Sequence, residues 1–302
     1  MRQAAIKPDA VESGSIGFTL GPRLNAAGRL ESALMAYHLL VTQYPGEAED
    51  LARKLEETNR ERQRLTSEMT LKAREAVAAS AESERLLFVA APEFPEGIVG
   101  LIASRLSEDF YRPAVAVHQG DDESRGSARS ISEFNIVAAL DQCRDLLVRH
   151  GGHAMAAGFT VRNENMAELA ARLKEIATRE LAHLDLVPTL NVDVQAVLSE
   201  VNLALAQSLA QLAPFGYGNR EPIFASRGLS VREARIVGSD HLKLTLSDGS
   251  IYMDAIAFRQ GSWLDSLPQH IDVAYQLEAQ TWNGRMRLQM NVKDIKPSNG
   301  EL

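Results

Sequence analysis

The amino-acid sequence predicts an α/β domain followed by a small β-barrel, a fold class of α/β plus β. Three observations support this. Between residues 83 and 186, short apolar runs alternate with amphipathic helical segments, as in an α/β layer architecture. After residue 187, segments with period-two alternation are separated by turn signals. Residues 46–82 are highly charged with apolar positions at helical spacing, which predicts one long helix before the α/β domain.

The composition is that of a globular protein. The 302 residues suit about two domains, and 45% of them are hydrophobic and 24% charged. No apolar run approaches the roughly 18 residues of a membrane helix, and the first residues lack a signal-peptide pattern. The single cysteine, Cys143, excludes an internal disulfide and a cysteine-rich zinc site. We therefore expect a cytoplasmic protein with no membrane partner.

The charge balance allows local contacts to phosphate but argues against nonspecific binding of nucleic acid over the whole surface. The net charge is −8, yet the 32 basic residues are 25 Arg and 7 Lys. Arginine forks match phosphate oxygens bidentately, so such a bias is typical of phosphate recognition. A GC-rich genome gives the same bias, and composition alone does not separate the two interpretations.

The first part of the chain is predicted to be irregular over residues 1–20. A helix is predicted to begin near Asn25 and to end before Tyr44-Pro45-Gly46. The long charged helix then runs from Glu47 to about Ala81, with apolar residues on one stripe and Glu and Arg elsewhere.

The α/β domain is predicted from alternating patterns, with Asn163 as an N-cap of its last helix. Strands are predicted at 85–91, 112–119, 123–131 and 153–161, and helices at 96–110, 135–150 and 163–184. The segment that follows residue 187 contains about five β-type runs with Ser-Asp-Gly and Asn-Gly turns. This number of strands suits a small closed barrel of the oligonucleotide-binding (OB) type.

The stretch "RHGGHAMAAGFTV" contains the first candidate site, formed by Gly151, Gly152 and His153. Consecutive glycines let a ligand approach the backbone and present N–H groups to an anion. His150 lies three residues before His153, but no third ligand completes a metal set. The alternative is that the glycines only make a turn from a helix into a strand.

Two further candidate sites combine arginine with small polar residues. Ser127 and Arg129 alternate on one face of a predicted strand, where a hydroxyl and a guanidinium suit a terminal phosphate. Arg23, Asn25 and Arg29 surround a predicted helix start, where free N–H groups also favour anions. An ordinary half-exposed strand and an ordinary capped helix explain the same patterns.

Motifs of several enzyme classes are absent from the sequence. It has no phosphate-binding Gly-x-x-x-x-Gly-Lys-Ser/Thr loop, no Gly-x-Ser-x-Gly elbow and no His-Glu-x-x-His zinc motif. Phosphodiester hydrolysis usually uses metal ions held by clustered Asp and His, and no Asp-x-Asp pair or Asp-His-His run occurs. We therefore predict neither catalytic residues nor a metal site in this chain.

Several stretches, taken in order, resemble the C-terminal portion of the RecJ family of bacterial single-strand-specific 5′→3′ DNA exonucleases. The likeness extends from about residue 17 to 295. The stretches are "LGPRLNAAGRL" (20–30), "APEFPEGIVGLIASRLSEDFYRPAVAV" (91–117), "GSARSISEFNIVAAL" (126–140), "GGHAMAAGF" (151–159) and "LAPFGYGNREPIF" (212–224).

The resemblance implies a domain order. Residues 1–45 would be the end of a DHH domain, 46–82 a connecting helix, 83–186 a DHHA1 domain and 187–302 a RecJ-like OB domain. In the family, Asp and His residues of the DHH domain hold catalytic Mn²⁺ or Mg²⁺, and those residues are not found here. The chain is then expected to bind no cofactor and to be inactive alone. It would be a fragment, a truncated gene product or a family member that binds without cutting.

The resemblance also implies roles for the candidate residues. Gly151, Gly152 and His153 would contact the strand backbone near the scissile phosphate, and Ser127 and Arg129 would hold a 5′-terminal phosphate. Asn25 and Arg29 would lie on the opposite, DHH side of the cleft. Weaker candidates for the barrel are a basic track and two stacking aromatics: Arg227, Arg232, Arg235, Lys243, Arg285 and Arg287, with Tyr252 or Trp282.

Three functions follow. The first is the substrate-binding part of a single-stranded-DNA exonuclease of DNA repair and recombination. The second is a non-catalytic module that binds single-stranded nucleic acid. The third is a regulatory partner of a separate DHH protein.

Overall fold

A computed structural model describes residues 1–7, 11–81, 83–238, 240–282 and 285–298. The chain divides into two compact units, Met1–Pro188 and Thr189–Leu302. Each unit has its own buried apolar core. None of the described helices combines the length and the apolar character that a membrane crossing requires.

The first unit begins with helices that the sequence predicted only in part. A short 3₁₀ turn at Arg2–Ala4 is followed by a π-helical segment, Ser15–Leu20, which runs directly into α1, Gly21–Leu30. The prediction of an irregular segment up to residue 20 was therefore wrong for residues 15–20. The predicted single helix is also broken after Leu30, and α2 spans Leu34–Val41. The break lets buried alanines of both short helices pack on Leu55 of the next helix.

The long helix α3 spans Pro45–Val77, in agreement with the prediction. Proline is favoured in the first turn because its missing N–H would be unpaired there. Leu55, Met69 and Val77 lie on its buried stripe, while ion pairs three and four residues apart, such as Arg64 with Glu61 and Glu68, cover the exposed side. The apolar stripe that the sequence predicts is therefore the side of α3 that packs against the core.

A five-stranded sheet forms the centre of the first unit, in the order β1-β2-β3-β5-β4. Only β1 and β2 are parallel. The strands are β1 Leu87–Ala91, β2 Ala114–His118, β3 Glu123–Arg129, β4 Leu147–His153 and β5 Ala156–Arg162. The helices that complete the unit are α4 Val99–Phe110, α5 Ile136–Asp141 and α6 Met166–Leu181.

The two faces of this sheet are covered differently. On one face, α5 and α6 pack over Val115, Phe159 and Val161 in the larger core. On the other face, α3 and α4 cover β1 and β2, and α4 also touches β3. The outward side chains of β3, β5 and β4 on the α4 side therefore line an open cleft.

Two predictions for this domain were wrong in detail. The helix predicted over 135–150 ends at Asp141, and Arg144–Leu146 is a 3₁₀ turn that leads into β4. Two glycines disfavour a helix, and pairing with β5 satisfies the backbone of this segment. Asn163 does not cap α6. Its amide donates to the carbonyls of Gly120 and Asp121, both at 2.8 Å, and so closes the turn between β2 and β3.

The second unit is a closed barrel of five main strands, as predicted. The order β10-β11-β9-β8-β7 closes through pairing of β7 with β10. The strands are β6 Val194–Gln195, β7 Phe224–Val237, β8 His241–Ser247, β9 Tyr252–Ala257, β10 His270–Trp282 and β11 Arg285–Pro297. Its core includes Leu244, Ala255 and the fully buried Tyr275, and the helix α7, Leu203–Ala210, packs against β10 and β11. Of the longer strand predicted after Pro188, only the two residues of β6 are in a strand.

Candidate nucleic-acid interface

The strand register brings polar residues into rows on the open face of the first unit. Ser127 of β3 pairs with Gly158 of β5, which pairs with Gly151 of β4. Residues directly opposite one another share a face of a sheet, so these three form one row. The row on one side is Arg125, Thr160 and Arg149, and the row on the other is Arg129, Ala156 and His153.

Glycines make the floor of this surface flat. A Cβ added at Gly151 would meet nothing within 4 Å, and one at Gly158 would meet only the carbonyl oxygen of Gly126, at 3.9 Å. The space above them is a cleft of about 500 Å³. Since no side chain fills this space, a ligand can approach the backbone of β4 and β5.

Ser127 and Arg129 form one wall of the cleft together with the first turn of α4. The Arg129 Nη1 donates to the Ser127 Oγ at 2.9 Å and to the Ala128 carbonyl at 2.8 Å. Val99 and Gly100 line the same cleft at the start of α4, which has no side-chain cap. N–H groups in a helix's first turn lack intrahelical acceptors and favour anions. Hydroxyl, guanidinium and helix N-terminus thus face one space.

Arg29 reaches the cleft from the last turn of α1. Its Nη1 donates to the carbonyl of Gly97 at 3.1 Å. A Cβ at Gly97 would lie 1.7 Å from the carbonyl oxygen of Arg29, so only glycine permits this close approach. The helical N-terminal segment is thereby fixed against the turn between β1 and α4, and it contributes a second wall.

The cleft is electropositive because three arginines lack acidic partners. Of the arginines that line it, Arg29, Arg129 and Arg149 make no ion pair with a carboxylate in the described part of the chain, whereas Arg125 is paired at 2.6 Å with Glu96, the acidic residue of the lining. Burial lowers the pKa of Arg129, and the positive charge of Arg29 lowers it further. Arginine remains protonated under such shifts, so the charges persist and favour an anion.

Arg62 does not line the cleft, but it is close enough to Arg29 for the two positive charges to interact, and our sequence reasoning missed it. It lies on α3, and its Nη2 donates to the Asn59 Oδ1 at 2.8 Å, while its buried Nε has no hydrogen-bond partner among the described atoms. Burial lowers the pKa of the Arg62 guanidinium, and the positive charge of Arg29 lowers it further. A signal existed in the sequence: Arg62 falls on the inward stripe of α3, seven residues from both Leu55 and Met69.

The structure separates the residues of the Gly-Gly-His motif. Gly151 lines the cleft, whereas Gly152 has a φ of +152° and its Cβ would lie 2.3 Å from the Ala156 carbonyl oxygen. His153 is exposed at the end of β4, opposite Ala156. His150 faces the other side of the sheet and hydrogen-bonds to Asp141 of α5 at 2.8 Å. The substrate contacts predicted for Gly152 and His153 stay predictions.

Of the predicted group, Arg23, Asn25 and Arg29, only Arg29 lines the cleft. Arg23 donates to Glu56 at 2.5 Å and to the Thr19 carbonyl at 2.7 Å. Burial raises the pKa of Glu56, but hydrogen bonds from Arg23 and Arg60 outweigh burial and leave this pKa below its ordinary value. Arg23 therefore neutralises a buried carboxylate, and Asn25 is exposed on α1.

The barrel holds a second cleft of about 490 Å³ on the outer face of β7, β8, β9 and β11. Arg235, Lys243 and Arg287 line it together with Glu233 and Asp254, so both signs of charge are present. Of the other candidates, Arg227 and Arg232 are exposed and Tyr252 is 66% exposed. The side chains of Trp282 and Arg285 lie outside the described part of the structure.

A metal centre is not formed by the described residues. None of their His, Cys, Asp and Glu side chains come together in a group of three or more that could hold a metal ion. The donor set of the main cleft is cationic and hydroxylic, which suits an anion and not Mn²⁺ or Mg²⁺. These residues therefore do not fit a catalytic metal.

Comparison with known proteins gives the class of protein that this fold and these clefts define. Residues 83–179 match the model of the DHHA1 domain, and residues 192–294 match that of the RecJ OB domain. The chain thus carries a DHHA1 domain followed by a RecJ OB domain.

The individual relatives make the likeness specific. The chain is 34% identical to the single-stranded-DNA-specific exonuclease RecJ of Bacillus subtilis, over 95% of this chain and 37% of the relative. It is 32% identical to RecJ of Escherichia coli, over 94% of this chain and 52% of the relative. The crystal structure of Thermus thermophilus RecJ in complex with Mn²⁺ matches with a TM-score of 0.83 and 31% identity, over 96% of this chain and 42% of that chain. The chain resembles the C-terminal portion of RecJ and spans about half or less of these relatives.

Proposed function

We propose that this chain is the substrate-binding part of a RecJ-type 5′→3′ exonuclease and grips single-stranded DNA by its 5′-phosphorylated end. The observation that carries the proposal is the main cleft, where Arg29, Ser127 and Arg129 converge over a glycine floor and the lining carboxylate, Glu96, is already paired with Arg125. The proposal includes the cytoplasmic location and the role in DNA repair and recombination that the family resemblance implies.

The chemistry of the cleft matches a terminal phosphate better than an internal one. A terminal phosphate monoester carries a charge near −2 at neutral pH and has three free oxygens, whereas an internal diester carries −1. Two guanidinium forks, one hydroxyl and the orphan N–H groups of α4 supply enough donors for three oxygens. The open backbone at Gly151 and Gly158 leaves room for the following nucleotides.

The remainder of the strand would lie on the OB barrel, and hydrolysis would depend on metal ligands supplied from elsewhere. The described residues offer no group able to hold Mn²⁺ or Mg²⁺, the ions in the related Thermus structures. We therefore expect this chain alone to bind without cutting. The domain limits proposed from the sequence, 1–45, 46–82, 83–186 and 187–302, belong to the same hypothesis.

A second candidate function, docking to a DHH domain or a separate DHH protein, is favoured by one observation. The N-terminal helices expose large apolar side chains, among them Phe18 at 88% and Tyr44 at 75%. Beside them lies an apolar cavity of about 390 Å³ lined by Leu20, Leu24 and Leu55. Apolar surface of this kind is typical of a protein interface.

Binding and degradation of a labelled oligonucleotide, measured together with Mn²⁺ present, test the main proposal. We expect a 5′-phosphorylated strand to bind more tightly than its 5′-hydroxyl counterpart, and no degradation. Arg129→Ala removes a charge-assisted contact worth about 1.5–3 kcal/mol, so it should weaken binding of the phosphorylated strand about 10- to 150-fold. Arg179→Ala, on the exposed side of α6, is the matched control.

Three outcomes contradict the proposal. Equal affinity for both strand ends would show that the cleft does not read a terminal phosphate. Degradation that copurifies with the chain, and is lost in Arg129→Ala, would show that metal ligands are present after all. Failure to bind any strand would favour the docking function.

A further inference from the structure

The outer face of the barrel carries an aromatic site at the end of β9. Along β9, Met253, Ala255 and Ala257 point into the core, so Tyr252, Asp254 and Ile256 point outward. The alternation continues to Phe258, which follows the strand and is 47% exposed. The barrel core does not use this ring, although Phe is mostly buried in proteins.

Phe258 is held in place by its neighbours and does not merely project into solvent. Its ring packs edge-to-face on His241 of β8, with centroids 5.1 Å apart and an angle of 72°. The His241 Nδ1 accepts the backbone N–H of Arg259 at 3.1 Å. Arg259 has a φ of +58°, a left-handed conformation that non-glycine residues rarely adopt. The turn after β9 is thus locally strained around an exposed aromatic pair.

Basic residues lie next to this aromatic pair on the same face. In the strand register, Arg235 of β7 pairs with Lys243 of β8, and Lys243 pairs with Ile256 of β9. The next row along the strands is His241 and Phe258. The acidic residues, Glu233 and Asp254, lie one row farther away, beyond Lys243. A third acidic residue, Asp240, precedes His241 and lies beside Gly261 at the turn after β9. A ligand on Phe258 therefore has Lys243 and Arg235 on the side of the strands and Asp240 on the side of the turn.

We propose that Phe258, supported by His241, is a stacking site for an unpaired base of single-stranded nucleic acid, with Arg235 and Lys243 contacting the adjoining phosphates. An aromatic platform beside cations is the combination that holds bases in sequence-independent single-strand binding. This inference rests on the proposed function and names the contact that the barrel makes with the strand.

Tyr252 lies at the opposite end of β9 and completes the track. It lies six positions before Phe258, which is roughly 20 Å at 3.3 Å per residue. This distance accommodates several nucleotides, in keeping with the roughly 4–16 nucleotides that an OB fold covers. Glu233 and Asp254 lie between the two aromatics, where they would keep phosphates at the basic edges and leave bases on the face.

The test uses the full chain and two 5′-hydroxyl probes, so the contact with a terminal phosphate does not contribute. One probe is oligo(dT) of about 15 nucleotides, and the other is a deoxyribose-phosphate chain of equal length and charge without bases. Phe258→Ala and Phe258→Leu should weaken oligo(dT) binding about 5- to 100-fold, and Phe258→Trp should preserve it. Affinity for the abasic chain should not change, because only the base stacks.

A matched control is Tyr217→Ala, which removes a fully exposed aromatic side chain of the same unit from the loop before β7. Its binding of oligo(dT) should remain unaltered. Unchanged oligo(dT) binding by Phe258→Ala, or an equal loss on the abasic probe, would overturn the inference. If Phe258→Ala has no effect while a 5′-phosphate still strengthens binding through Arg129, only the stacking site is wrong. If neither probe binds and a 5′-phosphorylated strand does not bind either, the proposed function is wrong as well.

Discussion

Gly100→Ala is the smallest change that would test the phosphate cleft, because it adds one methyl group beside both ligating side chains. Gly100 is the second residue of α4. A Cβ there would lie 2.9 Å from the Arg129 Nη2 and 3.1 Å from the Ser127 Oγ. Both atoms are at the ends of side chains that can move, so the helix itself should remain intact.

The two expected effects differ in size. Replacing glycine by alanine in a helix contributes up to about 1 kcal/mol of stability, and displacing two side-chain ends offsets part of it. The free energy of unfolding should therefore change by less than about 1 kcal/mol. Binding should suffer more: losing one charge-assisted hydrogen bond costs about 1.5–3 kcal/mol, or about 10- to 150-fold in affinity.

Both quantities can be measured on one sample. Urea unfolding with and without inorganic phosphate gives the stability and the stabilisation that a bound anion adds, and competition with a 5′-phosphorylated oligonucleotide gives the affinity. Gly46→Ala in the first turn of α3 is the control, since its Cβ would meet nothing within 4 Å. Unaltered phosphate binding by Gly100→Ala would refute the assignment of Ser127 and Arg129 as one anion site.

Two other predictions concern the residues around the cleft. Arg62→Met should reduce the stabilisation that phosphate gives, because it removes a positive charge that interacts with Arg29. Urea unfolding with and without phosphate measures this effect, with Arg53→Met on the exposed side of α3 as control, and an unchanged stabilisation by phosphate would contradict the prediction. Gly152→Ala should destabilise the chain by more than about 2 kcal/mol because of its φ and the Ala156 carbonyl, whereas Gly151→Ala should change stability little and weaken oligonucleotide binding. Equal unfolding curves for the two glycine variants would show that Gly152 is not required by the hairpin.

The domain-level fold was predictable because it depends on periodicity. Alternation of strands and helices gave the α/β domain, and period-two segments with turn signals gave the barrel. The error over residues 135–150 has a physical cause. Ile136, Ala139 and Leu140 do form a helical stripe, but the segment after Asp141 gains more by pairing with β5, a long-range interaction that local pattern does not contain.

Only those residues of the candidate site that lie together on one strand were predictable from the sequence. Ser127 and Arg129 could be found because alternation alone places them on one face. The approach of Arg29 depends on Gly97, which lies 68 residues away in sequence, and the contribution of Arg62 depends on how α3 packs. Arg23 looked equivalent to Arg29 in sequence, yet it forms an ion pair with Glu56 and does not reach the cleft. Which arginine is neutralised is decided by tertiary packing, not by spacing.

The two adjacent glycines of the Gly-Gly-His motif are under different steric constraints, although the sequence does not distinguish them. Gly152 is required by the backbone, since a side chain there would collide with the Ala156 carbonyl in the β4–β5 hairpin. Gly151 is under no such constraint, and its openness matters only if something occupies the cleft above it. The same distinction separates Gly126, which makes room for the Phe159 ring in the core, from Gly158, which leaves the cleft floor bare. Folding thus explains Gly126 and Gly152, whereas no contact in the fold requires Gly151 and Gly158, and these two bear on the proposed ligand.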